Sequence, residues 1–229
     1  ICDFTSVDGK RHVIERIDDA SHVSQIKEQL AQIENFYLAD GHHRSAAIAE
    51  FHNRFPQMDN SHFLGLLMEE SQLAISPFHR LIKPMVSMTT AERIAVLSKD
   101  FEITPSAEPL FDPQNKAEFG MYDGKQWYRL KLRYEDHIMD VEILEKYVVR
   151  SIYNIQDSST DGQITFLAQS AGMEKLEALI KSGAFEVAFT VKACDFSEIR
   201  EISDRHEVLP PKSTFIEPKL RAGMIIQEF

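Results

Sequence analysis

The densest group of chemically reactive side chains in this 229-residue sequence is the run Asp40-Gly41-His42-His43-Arg44, which we call the DGHHR turn. A short apolar run at residues 36–39 predicts a strand before it, and apolar residues at helical spacing between 47 and 55 predict a helix after it. Glycine permits a tight turn, and the free N–H groups at a helix start carry partial positive charge. With two imidazoles and a guanidinium beside these N–H groups, the turn favours binding of a phosphate.

Each member of the DGHHR turn has a role in such a site. Gly41 would bring its backbone close to the phosphate, and Arg44 would reach back to it as a planar fork. Asp40 would act as a base, orient a histidine, or hold a divalent cation such as magnesium that bridges phosphate oxygens. His42 and His43 would contact the phosphate and are the candidate catalytic imidazoles.

Two other interpretations of these residues stay open. In the first, Asp40 only caps the helix and the histidines are polar surface residues. In the second, a transition-metal site is built from His42, His43, His52 or His79. Adjacent histidines on a helix or strand point in different directions, so they rarely bind the same ion. We favour the phosphate interpretation because five specialised residues meet at one predicted strand–helix junction.

A second polar segment is Pro77-Phe78-His79-Arg80. It follows a strand predicted at residues 73–75, so it is predicted to lie in a loop, where functional residues concentrate. His79 and Arg80 would then complete the phosphate site. The alternative is an ordinary pair of surface residues.

A third polar segment lies near the end of the sequence, where Lys212, Ser213 and Thr214 are framed by prolines. One lysine and two hydroxyls would contact a phosphate or a substrate carboxylate. Lys212 would neutralise the charge that develops on a transferred group. The alternative is an extended C-terminal arm that packs on the core.

The elements that must position these residues mix helices and strands. Asp8-Gly9 and Asp123-Gly124 each separate part-apolar runs and predict β-hairpins. Further strands are predicted at residues 63–68, 164–167 and 185–191, the last with side chains alternating between inside and outside. Helices are predicted near residues 23–33, 94–97, 140–149 and 173–180 and after residue 195, with Ser21, Thr89 with Glu92, and Asp195 with Glu198 as caps.

This mixture predicts an α/β fold of mixed α+β type. The prolines at positions 105, 109 and 113 mark the best boundary, with an α/β core at residues 1–108 that contains the DGHHR turn and a C-terminal α/β portion at residues 109–229. The alternative is one continuous domain.

Composition restricts the class of protein. Hydrophobic residues make up 43% and charged residues 27% of the chain, as in globular domains. Two distant cysteines, no apolar run of about 18 residues and no signal segment favour a cytoplasmic protein without a membrane partner. The net charge of −11 argues against a nucleic-acid partner. Neither GxxxxGK nor GxGxxG occurs.

Three segments together resemble one known family. They are YLADGHHR at residues 37–44, SPFHR at residues 76–80 and PPKSTFIEPK at residues 210–219. They are similar to the ADGHHR, PxHR and PKST-F-PK segments of the bacterial and archaeal domain of unknown function 1015 family. Members usually carry an aromatic residue where this chain has Ser45, and they are longer, so we expect this sequence to be a C-terminal part.

The DGHHR turn also resembles, more distantly, the phosphate-binding turn of the ParB/sulfiredoxin-like superfamily, whose strand–turn–helix core we therefore expect. Sulfiredoxin needs a cysteine where this chain has His42, which excludes that chemistry. The resemblance implies an ATP- or ADP-dependent, magnesium-dependent phosphotransferase that acts on a small hydroxylated metabolite, for example free serine. A non-catalytic nucleotide- or anion-binding regulator is the alternative, and a metal-dependent hydrolase is a weaker one. A homodimer is an open possibility.

Overall fold

The computed structural model describes residues 1–7, 9–58, 62–84, 88–219 and 223–226. It divides into two units, Ile1–Leu38 and Ala39–Phe229. The larger unit therefore contains all three segments that carry the candidate site residues.

The unit Ile1–Leu38 contains a hairpin and a helix. Strands β1 (Cys2–Thr5) and β2 (Arg11–Ile14) pair antiparallel, which confirms the first predicted hairpin, although Asp8 of its turn lies outside the described residues. Helix α1 (Ala20–Leu30) is capped by Asp19, which accepts hydrogen bonds from the N–H groups of residues 21 and 22. The predicted cap, Ser21, is wrong, because its own N–H is one of those donors.

A six-stranded antiparallel sheet forms the centre of the unit Ala39–Phe229. Its strand order is β5-β7-β6-β9-β4-β8, and the second predicted hairpin forms β6 and β7. The strands are β4 (Phe78–Ile82), β5 (Phe101–Pro105), β6 (Glu118–Tyr122), β7 (Trp127–Leu132), β8 (Ile164–Ala168) and β9 (Val187–Val191). Strands from both sides of residue 108 share this sheet.

Two helices of this unit begin at polar caps that the sequence predicts. Thr89 and Glu92 form a reciprocal capping box, with the Glu92 carboxylate 2.8 Å from the Thr89 backbone nitrogen. Glu198 reaches back to the Asp195 backbone nitrogen in the same way, at 3.0 Å. The helices are α2 (His42–Arg54), α3 (Thr90–Leu97), α4 (Asp140–Leu144) continued by a π-helical stretch (Glu145–Arg150) and α5 (Ser151–Tyr153), α6 (Met173–Lys181) and α7 (Phe196–Asp204). Within the described ranges, every helix is too short or too polar to cross a membrane.

The sheet is buried on both faces. Because neighbouring residues of a strand point to opposite faces, Ile82 joins a core that includes α4 and the π-helical stretch, whereas Leu81 joins a second core that includes α6. Strand β9 is buried at all five positions. The predicted alternation of residues 185–191 is therefore wrong, because a central strand between two cores has no solvent face.

A separate two-stranded ribbon pairs distant parts of the chain. Strand β3 (Ala74–Ser76) pairs antiparallel with β10 (Phe215–Glu217), with Phe215 opposite Ser76. This confirms the predicted strand near residues 73–75 and shows that residues 215–217 of the predicted C-terminal arm are extended. The predicted strands at residues 36–39 and 63–68 are wrong: both segments are irregular, and most of their large apolar side chains are exposed. A strand needs hydrogen bonds from a neighbouring strand, and among the described residues no strand pairs with either segment.

The mixed α/β class is thus confirmed. The strand of the expected strand–turn–helix core is absent before residue 40, whereas the turn and the helix are present.

Candidate functional site

Gly41 sets the geometry of the DGHHR turn. It is the N-cap residue of the 13-residue helix α2, with φ 87° and ψ 24°, a left-handed conformation that glycine adopts at little cost. Its carbonyl accepts the N–H of Ser45 at 2.9 Å. Helical geometry leaves the preceding amides of the first turn without acceptors inside the helix. No side chain of the described residues caps this helix, and Asp40 is therefore not a simple cap.

Arg44 folds back against Gly41. A Cβ atom placed on Gly41 would lie 3.3 Å from Nη2 and 3.4 Å from Nε of Arg44, so the guanidinium packs beside the bare glycine backbone. The Arg44 side chain is 81% exposed. A planar, five-donor cation thus lies beside the start of α2 and is open to a ligand.

Asp40 lies between two cations. Its Oδ2 atom is 3.1 Å from Nζ of Lys219 and 4.0 Å from Nη2 of Arg44. Partial burial acts to raise the pKa of Asp40, but the hydrogen bonds from Lys219 and the Gly41 backbone, with the charges of Lys219 and Arg44, hold that pKa below its ordinary value. A carboxylate with a lowered pKa is a weak base at neutral pH.

Lys219 is a site residue that the sequence did not single out. It is the last residue of the family-like segment at residues 210–219, whereas the prediction of a phosphate contact rests on the adjacent lysine and hydroxyls at residues 212–214. Nothing local to Lys219 predicts its contact with a residue 179 positions earlier. The pairing of β10 with β3 anchors the segment that carries Lys219.

Of the three predicted residues of the third segment, Lys212 lies beside the second segment. Lys212 places Nζ 5.4 Å from the centre of the Phe78 ring. Ser213 is buried, and its hydroxyl donates to the Pro210 carbonyl at 2.6 Å, while Thr214 is half-buried. The alternative of a C-terminal arm packed on the core describes this segment, because its strand β10 is paired and Ser213 is already engaged.

His79 and Arg80 occupy a strand, so their predicted loop position is wrong. They are 1% and 0% exposed in β4, and their strand partners, Leu167 and Phe166, belong to opposite faces of the sheet. The two side chains therefore cannot complete one site together. They are not a surface pair either.

His79 is a buried imidazole without a hydrogen-bond partner on either ring nitrogen among the described residues. Burial, reinforced by the charge of Arg80, lowers its pKa to about 4. Arg80 donates from Nη1 to the Phe78 carbonyl at 2.6 Å, lies 3.4 Å from Glu145 and stacks over Phe166. Neither residue contacts the DGHHR turn in any of these interactions.

The proposed histidine metal site has no geometric support in the part of the chain that the structure describes. No three His, Cys, Asp or Glu side chains converge there as metal ligands do. His79 lies inside the sheet, while His42 and His43 are exposed at the start of α2. His52 is half-buried further along the same helix.

Comparison with solved structures finds weak similarity. A free serine kinase mutant in complex with AMP is 17% identical, with 79% of this chain and 67% of that chain covered and a TM-score of 0.44. A second mutant of free serine kinase, in complex with ADP, is 17% identical over 79% and 66%, with a TM-score of 0.42. A conserved hypothetical protein from Pyrococcus furiosus is 17% identical over 79% and 69%, with a TM-score of 0.45. Similarities this low support no argument about this chain.

Sequence comparison is more informative about family. No curated protein matches the chain. The family model described as protein of unknown function (DUF1015) matches residues 1–157, which is more than half of the sequence and includes both the DGHHR turn and the second segment. The chain therefore belongs to the DUF1015 family.

Proposed function

We propose that the DGHHR turn binds the phosphates of a nucleotide, and that the protein is a nucleotide-dependent phosphotransferase acting on a small hydroxylated metabolite such as free serine. The observation that carries this proposal is the left-handed Gly41 at the start of α2, with Arg44 packed beside it and open to solvent. A helix start with free amides and an adjacent guanidinium suits a phosphate group.

The charges around the turn support an anionic ligand. Arg44 and Lys219 flank a single carboxylate, Asp40, so the immediate cluster carries an excess of positive charge. This local excess stands out against a chain whose net charge is −11. A small anion needs only a few aimed donors, so the overall acidity does not prevent its binding.

The proposed catalytic roles follow from exposure and pKa. His42 and His43 are exposed in the first turn of α2 and remain the candidate acid and base. Asp40 is a poor base, because its neighbours lower its pKa. His79 and Arg80 are not part of the proposed site, because they are buried in the sheet.

Magnesium fits this turn only as a companion of the nucleotide. Asp40 is the one carboxylate of the turn, and Lys219 already contacts its Oδ2 atom. Magnesium in nucleotide sites is commonly held by one or two carboxylates together with phosphate oxygens and water. In that arrangement Asp40 would supply a single oxygen, and the ion would neutralise phosphate charge.

The replacement Arg44→Ala tests the binding part of the proposal. We expect ATP affinity, measured by isothermal titration calorimetry, to fall about tenfold or more, because a charge-assisted hydrogen bond contributes roughly 1.5–3 kcal/mol. The melting temperature should hardly change, since the side chain is largely exposed. Arg54→Ala is the matched control, because Arg54 is 69% exposed at the other end of the same helix. ATP binding by Arg44→Ala equal to that of the control would contradict the proposal.

A non-catalytic regulator that binds a nucleotide or another anion is the second candidate. The observation that favours it is the contact of Asp40 with Lys219 and Arg44, which lowers the pKa of Asp40 and makes this carboxylate a weak base. Incubation of the protein with labelled ATP, magnesium and a pool of metabolites distinguishes the two. Phosphorylated product supports the phosphotransferase, whereas ATP binding without turnover supports the regulator.

A further inference from the structure

We infer that Lys219 is a second cationic ligand of the bound phosphate and that Asp40 keeps it in position before the ligand arrives. This inference rests on the proposed phosphate site. Nζ of Lys219 and Nη2 of Arg44 both lie within 4.0 Å of the same Asp40 oxygen. The two cations therefore converge on one point beside the start of α2, although 174 residues separate them in sequence.

The ribbon of β3 and β10 positions Lys219 beside Asp40. Phe215 pairs with Ser76 and packs edge-on against the ring of Phe78, with 5.6 Å between centroids. The ammonium of Lys219 lies 5.3 Å from the centre of the Phe215 ring. Only Pro218 lies between Glu217, the last residue of β10, and Lys219, so the ribbon limits where this ammonium can go.

The ion pair between Lys219 and Asp40 is weak enough for Lys219 to exchange Asp40 for a phosphate. Its side chains are 42% and 57% exposed, and exposed pairs contribute only about 0–1 kcal/mol to stability. A nucleotide phosphate offers more charge and more acceptor oxygens than one carboxylate, so Lys219 can move from Asp40 to the phosphate at little cost. Asp40 then acts as a positioning residue rather than as a base.

Lys212 provides a matched control within the same segment. Its ammonium lies over Phe78 instead of beside Asp40, and both lysines contact an aromatic ring of the same pair. Removing either lysine takes away one positive charge and one ring contact. Only the removal of Lys219 takes away a cation at the DGHHR turn.

The test measures ATP binding without magnesium, by calorimetry, for Lys219→Ala, Lys219→Arg and Lys212→Ala in the full chain. We expect Lys219→Ala to weaken binding about tenfold, the value for one lost charge-assisted contact. Lys219→Arg should restore most of that affinity, and Lys212→Ala should bind like the unmodified protein. All three should melt within about 2 °C of it, because the side chains are exposed.

Three outcomes would overturn this inference, and the third would also overturn the proposed function. If Lys219→Ala binds ATP as tightly as the unmodified protein while Arg44→Ala does not, Lys219 is no ligand and the proposed phosphate site stands. If both lysine replacements weaken binding equally, the loss reflects the segment as a whole. If neither Lys219→Ala nor Arg44→Ala changes binding, the proposed function itself fails, which keeps the two conclusions separate.

Discussion

His79 shows at the scale of one residue how a motif can mislead. Its position beside an arginine suggested a ligand-binding loop, but strand β4 carries it into the second core of the sheet. Within the described chain neither ring nitrogen has a partner, so the neutral imidazole forfeits its hydrogen bonds with water. Burial of a protonated imidazole would cost more free energy than burial of the neutral one, and this explains why the pKa of His79 is lowered to about 4.

The lowered pKa of His79 predicts a dependence of stability on pH. Below its unfolded value of 6.5, the unfolded chain binds a proton that the folded chain does not. The free energy of unfolding is therefore not reduced by His79 above pH 6.5. It falls between pH 6.5 and about 4, by up to about 1.4 kcal/mol per pH unit. Urea unfolding at several pH values measures it, with His79→Leu as the comparison.

We expect His79→Leu to lack this loss and to be at least as stable as the unmodified protein at pH 7, since it removes unsatisfied polar atoms. Equal pH dependence of the two proteins between pH 6.5 and 4 would show that His79 is not the group responsible. Loss of ATP binding in His79→Leu, with stability retained, would return this residue to the functional site.

At the scale of one element, the start of α2 depends on a backbone conformation. The φ of 87° at Gly41 is strained for any residue with a Cβ atom, and that atom would also press on the Arg44 guanidinium. Replacing Gly41 is therefore expected to affect both the stability of the protein and its binding of the ligand. The two effects are separable, because asparagine tolerates the left-handed conformation better than alanine does.

We expect Gly41→Ala to lower the free energy of unfolding by about 1–2 kcal/mol, and Gly41→Asn to lower it less. Both replacements should weaken ATP binding, since each adds a Cβ atom that displaces Arg44. Gly162→Ala is the control, because an added Cβ meets nothing within 4 Å there and no positive φ is involved. Chemical denaturation and calorimetry give the two quantities. Unchanged ATP binding in both Gly41 variants would refute the role of the packed guanidinium.

At the scale of the whole molecule, burial is unevenly distributed between the two units. None of the described residues of Ile1–Leu38 is buried, whereas β9 is buried throughout and lies between β6 and β4 in the large sheet. Stability follows burial, so local opening should cost far less in the first unit than in the sheet.

The two Asp-Gly hairpins make this difference measurable by amide hydrogen exchange. Both have the same turn dipeptide and antiparallel pairing. However, β6 and β7 belong to the six-stranded sheet, whereas β1 and β2 form a two-stranded sheet, with no further strand beside them in the described ranges. We expect the paired amides of β6 to exchange at least about a thousandfold more slowly than those of β2, given typical global stabilities above 5 kcal/mol. Similar protection in the two hairpins would contradict this prediction.

The features that the sequence determined by itself are those governed by neighbours in the chain. Both Asp-Gly hairpins, the capping boxes at Thr89 and Asp195 and most helices were predicted correctly. A turn conformation, a capping hydrogen bond and helical periodicity each involve residues a few positions apart. The position of the DGHHR turn at the start of a helix belongs to the same group.

Tertiary structure alone decided which segments become strands and which polar residues meet. Residues 36–39 and 63–68 have apolar composition but no strand beside them among the described residues. The sequence Pro-Phe-His-Arg predicts a loop, but β8 and β9 pair on either side of β4, which contains its last three residues. Lys219 reaches Asp40 because β10 pairs with β3. Each of these outcomes depends on a partner more than eighty residues away in the sequence or on the absence of one, and no local pattern encodes such a partner.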